Sequence, residues 1–103
     1  MIDVDAELVH AVQRGDQVAM STLYQRYIGL LYGYIRKRVD RTDVAEDLTS
    51  ETFMAVVERI HTFRGDATFK TWLFTIAQRR IADHWRSSYQ LPEVSCELVL
   101  ELL

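Results

Sequence analysis

The sequence predicts an all-α fold, a compact bundle of three longer helices with a shorter one at its N-terminus. Three observations predict it. Apolar residues recur at spacings of three and four through most of the chain, the period of helices with one buried face. One proline and four glycines interrupt 103 residues, too few for a turn-rich β architecture. Hydrophobic residues make up 49% of the chain, enough for one small core and too many for a disordered polymer.

The first helix is expected over residues 4–14, where Leu8, Val9, Ala11 and Val12 share a face and Asp3 or Asp5 can cap the start. Gly15 is a natural stop. Asp16 then caps a second helix over about 17–39, with apolar Ala19, Leu23, Tyr27, Leu30, Leu31, Tyr34 and Ile35. Arg36, Lys37 and Arg38 fall in its last turn, where cations suit the helix dipole. Asp43 and Glu46 have the spacing of a capping box opening the third helix. Its inward stripe is Leu48, Thr52, Val56 and Ile60, with Phe53 and Val57 beside it. Asp47, Ser50, Glu51 and Glu58 fall mainly on the other side.

A glycine-containing turn at 61–68 follows, with Gly65 free to take a positive φ. Thr68 caps a fourth helix over about 69–86. Phe69, Leu73, Ile76, Ala77 and Arg80 share one side of it. Thr75, Gln78, Arg79, Ala82 and Arg86 share the other, with Trp72 and Trp85 at the borders. Ser87, Ser88 and Pro92 break the helix. The leucine-rich end, 96–103, can form a short further helix. Residues 1–86 therefore read as one domain, and 87–103 as the start of a linker to a second domain.

Charge is unevenly spread. The net −3 divides into −4 over residues 1–58, +4 over 59–86 and −3 over 87–103. A locally basic segment sits inside an acidic protein. Cys96 is the single cysteine, so no intrachain disulfide can form. No apolar run approaches the roughly 20 residues of a membrane span, and residues 1–15 lack a signal-peptide pattern. A cytoplasmic location with no membrane partner is the expectation.

Catalysis finds no support. His10, His61 and His84 lie on different elements at no metal-ligand spacing. No glycine-rich phosphate loop or nucleophile elbow is present. Asp47 and Glu51 are carboxylates one helical turn apart, but no Glu-x-x-His pattern accompanies them. The chain is not expected to be an enzyme or to carry a metal or other cofactor.

Nucleic-acid binding has a physical basis. Arg and Lys supply phosphate contacts, and aromatic faces stack on unpaired bases. The turn Phe63-Arg64-Gly65-Asp66, with Thr68, offers backbone groups and short polar side chains to an extruded base edge. That grouping, beside an aromatic and basic helix, favours single-stranded or melting DNA. The acidic face of the third helix suits a protein partner or simply solvent.

Three blocks in order, LVHAVQRGDQVAMSTLYQRYIGLLYGYIRKRV (8–39), AEDLTSETF (45–53) and TFRGDATFKTWLFTIAQRRIADHWR (62–86), resemble the extracytoplasmic-function sigma factors of bacterial RNA polymerase. The likeness covers about residues 7–86. It implies the helical domain that recognises the promoter −10 element. In that family the AEDL-x-x-E-x-F helix docks on the clamp helices of the polymerase β′ subunit. By position Asp47, Leu48, Glu51 and Phe53 match the block, and Ser50 stands where the family commonly has Gln.

The family's FRG turn and following helix bind the non-template strand, with one base flipped into a pocket. Phe63, Arg64, Gly65, Asp66, Phe69, Lys70 and Trp72 match that part. Gln78, Arg79, Asp83 and Arg86 fall at the upstream −10 contacts, although Asp83 can instead pair with Arg79 or Arg86. The resemblance implies RNA polymerase core and melted promoter DNA as partners, and allows an anti-sigma factor over the same surfaces. Nothing matches the family's −35-binding domain. Two other readings stay open: a protein-interaction module that binds polymerase without DNA, and a helical domain reading duplex DNA.

Overall fold

The computed structural model describes residues 2–89. They form α1 (Ala6–Gln13), α2 (Gln17–Arg36), α3 (Thr42–Arg59) and α4 (Phe69–Tyr89), with a 3₁₀ turn at Ile60–Thr62. No strand occurs among the described residues. The expected leucine-rich helix and most of the expected linker, from residue 90 on, lie outside them.

Local chemistry sets most of the helix ends. Gly15 takes φ +96°, closing α1, and Asp16 then opens α2. One oxygen of Asp16 accepts from the Val18 and Ala19 amides at 2.9 and 3.1 Å. Past the other end of α2, Arg36 donates to the Val39 carbonyl at 3.2 Å and Arg38 to the Tyr34 carbonyl at 2.9 Å. Cationic donors thus serve carbonyls near a helix C-terminus, where the dipole favours them. Thr68 Oγ1 accepts the Thr71 amide at 3.2 Å and caps α4 as expected.

Several expectations need correction, beginning with α2, which ends at Arg36 and not at 39. Asp5 precedes α1 but its side chain makes no cap bond; it turns inward instead. The capping box on α3 does not form. The helix starts at Thr42 with Arg41 at its N-cap, so Asp43 already lies in the first turn and forks with Arg41 at 3.1 and 2.8 Å. On α4 the inward face rotates toward the C-terminus: Ile81 and Ala82 are fully buried while Arg80 is half-buried. Finally, α4 runs through Ser87 to Tyr89; serine in a helix costs only a few tenths of a kcal/mol relative to alanine, and does not stop one by itself.

The core is a single cluster to which every helix contributes. Phe69, Leu23, Leu31, Ile35, Ile60, Leu73 and Ile81 are among its fully buried side chains. α1 packs on α2, α2 on α3 and α3 on α4. Thr49 and Thr52 are buried in α3 and return their hydroxyls to the Ala45 and Leu48 carbonyls, both at 2.7 Å, so they sit in the core without a partner from another helix. Leu30 and Val57, expected inside, are instead more than half exposed.

A junction of three helices surrounds Asp5, which is 1% exposed. Its carboxylate accepts from the Arg26 guanidinium and the Tyr27 hydroxyl. Tyr27 in turn packs on Phe69 with ring centroids 5.6 Å apart. Burial, reinforced by the hydrogen bond to Asp5, raises the Tyr27 phenol well above its ordinary value.

Candidate nucleic-acid and partner interfaces

The acidic block on α3 divides by helical geometry. Asp47, Ser50 and Glu51 are exposed, whereas Leu48 and Phe53 are buried. Phe53 meets Tyr24 of α2 edge-on, with ring centroids 5.0 Å apart. The two rings form part of a groove of about 630 Å³ between α2 and α3. Met20 and Ile28 contribute from α2, and Met54 and Val57 from α3. Ser50 and Glu58 also line it. Met54 is 62% exposed and Val57 56%. The surface is an apolar trough with Asp47 and Glu51 on the same helix, suited to a helical partner that brings both apolar and basic side chains.

The sequence reading missed this trough. Its signal was present: Met54 and Val57 are apolar, three residues apart, and lie off the buried Leu48, Thr52 and Val56 stripe. Two apolar residues one turn apart outside a helix's core stripe mark a second apolar face.

The turn between α3 and α4 builds the other surface. Gly65 adopts φ +81°, a left-handed conformation that side chains with a Cβ disfavour. Arg64, Asp66 and Lys70 are exposed around it. Phe63 and Trp72 are half-buried and stack at 4.9 Å between centroids, and Trp72 also lies 6.0 Å from the Phe69 ring. Phe69 itself is fully buried, so it supports the aromatic pair rather than facing solvent. A cleft of about 340 Å³ lies between α1 and this turn, bounded by Asp3, His10 and Gln13 on one side and Phe63, Arg64 and Gly65 on the other.

Along α4, Trp72, Arg79, Asp83 and Arg86 succeed one another at intervals of seven, four and three, which keeps them on one side of the helix. They span roughly 21 Å at 1.5 Å per residue. Arg79 is exposed, and Asp83 pairs with Arg86 at 2.6 Å, which decides between the two partners open to it in the sequence. Gln78 is half-buried and donates to the Tyr34 hydroxyl at 3.2 Å. The Tyr34 ring also carries the Arg38 guanidinium, 3.6 Å from its centroid. The turn and the helix start expected from sequence therefore come together as one patch, with Arg79 and Arg86 continuing it along α4.

Among the described residues no cluster of His, Cys, Asp and Glu could hold a metal ion, and no helix is long and apolar enough to cross a membrane.

An acidic helix beside an apolar trough is thus followed by an aromatic and basic turn-helix unit. The Sigma-70 region 2 family model matches residues 23–89, and the chain belongs to that family. The curated proteins it resembles include sigma factors of the extracytoplasmic-function type. It is 43% identical over 96 residues to the ECF RNA polymerase sigma factor BldN of Streptomyces coelicolor, covering 92% of this chain and 36% of that protein. It is 38% identical over 73 residues to the ECF RNA polymerase sigma-E factor of Haemophilus influenzae, covering 71% of this chain and 38% of that one. The RNA polymerase sigma-H factor of Pseudomonas aeruginosa is 36% identical over 80 residues, with 78% and 42% covered. The chain thus spans well under half the length of these relatives. Membership of this family agrees with the expectation of a non-enzymatic protein.

Proposed function

We propose that this domain joins RNA polymerase through α3 and reads the unpaired non-template strand of the −10 element through the turn and α4. The recognition domain, bounded at residue 86 in the sequence, extends to the end of α4 at Tyr89, the linker follows it, and the work is done in the cytoplasm. The observation that carries the reading is the presence of two chemically different surfaces on one core. Asp47 and Glu51 beside the α2–α3 trough suit the β′ clamp helices, with Ser50 on the rim and Leu48 and Phe53 holding the helix in place. Phe63, Arg64, Gly65, Asp66, Lys70 and Trp72, braced by Phe69, suit an extruded base and its phosphates. Gln78, Arg79, Asp83 and Arg86 suit the upstream part of the element.

Promoter opening then follows from differential binding. Contacts available only to the unpaired strand lower the melted state relative to the duplex, so the equilibrium moves toward open DNA. The domain catalyses no bond change.

The test is capture of the chain by a β′ clamp-helix fragment, wild type against Glu51→Arg. Glu51 is exposed, so the substitution should leave the fold intact. It should weaken capture at least about tenfold, since it sets a like charge against the basic residues expected of the partner. Equal capture of the two proteins would refute acidic docking.

A further inference from the structure

Both ends of the DNA-facing turn are tied to the N-terminal segment. At the entrance, the Gln13 side-chain amide donates to the Ile60 carbonyl at 2.8 Å and to the Phe63 carbonyl at 3.0 Å. At the exit, Asp3 accepts the Phe69 amide at 2.9 Å. Asp3 is itself held, because its other oxygen accepts the Asp5 amide at 3.0 Å and Asp5 is locked onto Arg26 and Tyr27.

We propose that Gln13 is a positioning residue for strand recognition, fixing the turn from α1 so that Phe63 and Arg64 are presented in their binding geometry before DNA arrives. The inference rests on the proposed reading of the turn as the strand-binding element. Gln13 needs no contact with DNA to do this. One amide group uses both its hydrogens to bridge two carbonyls that bracket the 3₁₀ turn. The Phe63 carbonyl leads directly into Arg64 and Gly65, and the Phe63 ring is the one stacked on Trp72. With the bridge gone, the turn keeps its covalent path but samples other conformations, and strand binding must then bear the ordering cost.

Gln13→Glu is the decisive substitution. It keeps the size and shape of the side chain, removes both donors and sets a carboxylate against two carbonyls. Gln13→Lys restores a donor group. Each is measured in the chain assembled with its core RNA polymerase, on a fork-junction probe with an unpaired −10 strand and on a fully duplex probe. Gln13→Glu should lower affinity for the fork about tenfold, with duplex and core affinity changed less than about twofold, and Gln13→Lys should recover most of the loss. Combined with Arg64→Ala, Gln13→Glu should add less than about twofold to the loss from Arg64→Ala alone, because both act through one turn.

Equal losses on fork and duplex, or full additivity with Arg64→Ala, would overturn the positioning role. So would wild-type fork affinity in Gln13→Glu while Arg64→Ala is impaired. If Arg64→Ala itself binds the fork normally, the strand-binding reading fails and the inference falls with it.

Discussion

Arg64 and Trp72 belong to one surface, but their substitution should have different consequences. Arg64 is exposed and Trp72 is half-buried against Phe63 and Phe69. Arg64→Ala should weaken binding to a forked −10 probe while leaving the melting temperature essentially unchanged. Trp72→Ala should lose roughly 1–3 kcal/mol of base stacking on the fork and should also lower the melting temperature, since it empties part of the aromatic cluster. Both should affect the fork more than the duplex; equal effects on the two probes would remove the single-strand claim. Gly65 is a third case. A Cβ there would meet nothing within 4 Å, so Gly65→Ala should cost about 1–2 kcal/mol through its positive φ alone. Denaturant unfolding reads that cost, and Gly65→Asn should show less of it because asparagine tolerates the left-handed region better. The same scale shows what the sequence disclosed. Asp16 was legible as a cap because its partners are the next turn of its own helix. Asp5 was not, because Arg26 and Tyr27 reach it from another helix and no local pattern announces them. Gln13 was hidden for the same reason: its acceptors lie on a turn far along the chain.

At the scale of the element, α3 has two apolar faces. The inner one carries Leu48, Thr52 and Val56, and the outer one carries Met54 and Val57. A single periodic stripe was visible in the sequence, and it absorbed Val57 because a residue next to Val56 lies only one step around the helix. What separates them is the neighbouring α2, whose Met20, Tyr24 and Ile28 leave a trough where a further helix could lie. Among the described residues helix number and order were legible, as were the breaks at Gly15, Asp16 and Thr68, because capping and breaking signals are local; the ends of α2 and α4, expected at 39 and 86, fall instead at Arg36 and Tyr89. The start of α3 was less so, because Arg41, Thr42 and Asp43 offer competing starts. Met54→Asp places a charge in the trough without touching the core, so folding should be unaffected. Capture by the clamp-helix fragment should fall about tenfold or more, as expected when a charge is buried against apolar partner groups. Undiminished capture would show that the partner avoids this trough and meets only the acidic rim.

Across the whole molecule, the Asp5 junction joins the N-terminal segment, α2 and the start of α4. Tyr27 is its titratable centre, and its pH dependence has a definite sign. Burial and the hydrogen bond to Asp5 both favour the neutral phenol and raise its pKa in the folded protein. The unfolded chain ionises this tyrosine near pH 10. Below that pH the neutral phenol is bound equally in both states and its contribution to stability is fully present. Above it the unfolded state releases the proton while the folded state retains it, so stability falls by about 1.4 kcal/mol per pH unit until the raised folded pKa is reached. The informative quantity is the difference between wild type and Tyr27→Phe. Near neutral pH the variant should be less stable by about 1–2 kcal/mol, having lost a buried hydrogen bond to a carboxylate. Above pH 10 its stability should decline less steeply, and the two denaturation midpoints should converge. Parallel curves through that range would mean that Tyr27 ionises as freely in the folded protein as in the unfolded chain, and that the junction does not shield it.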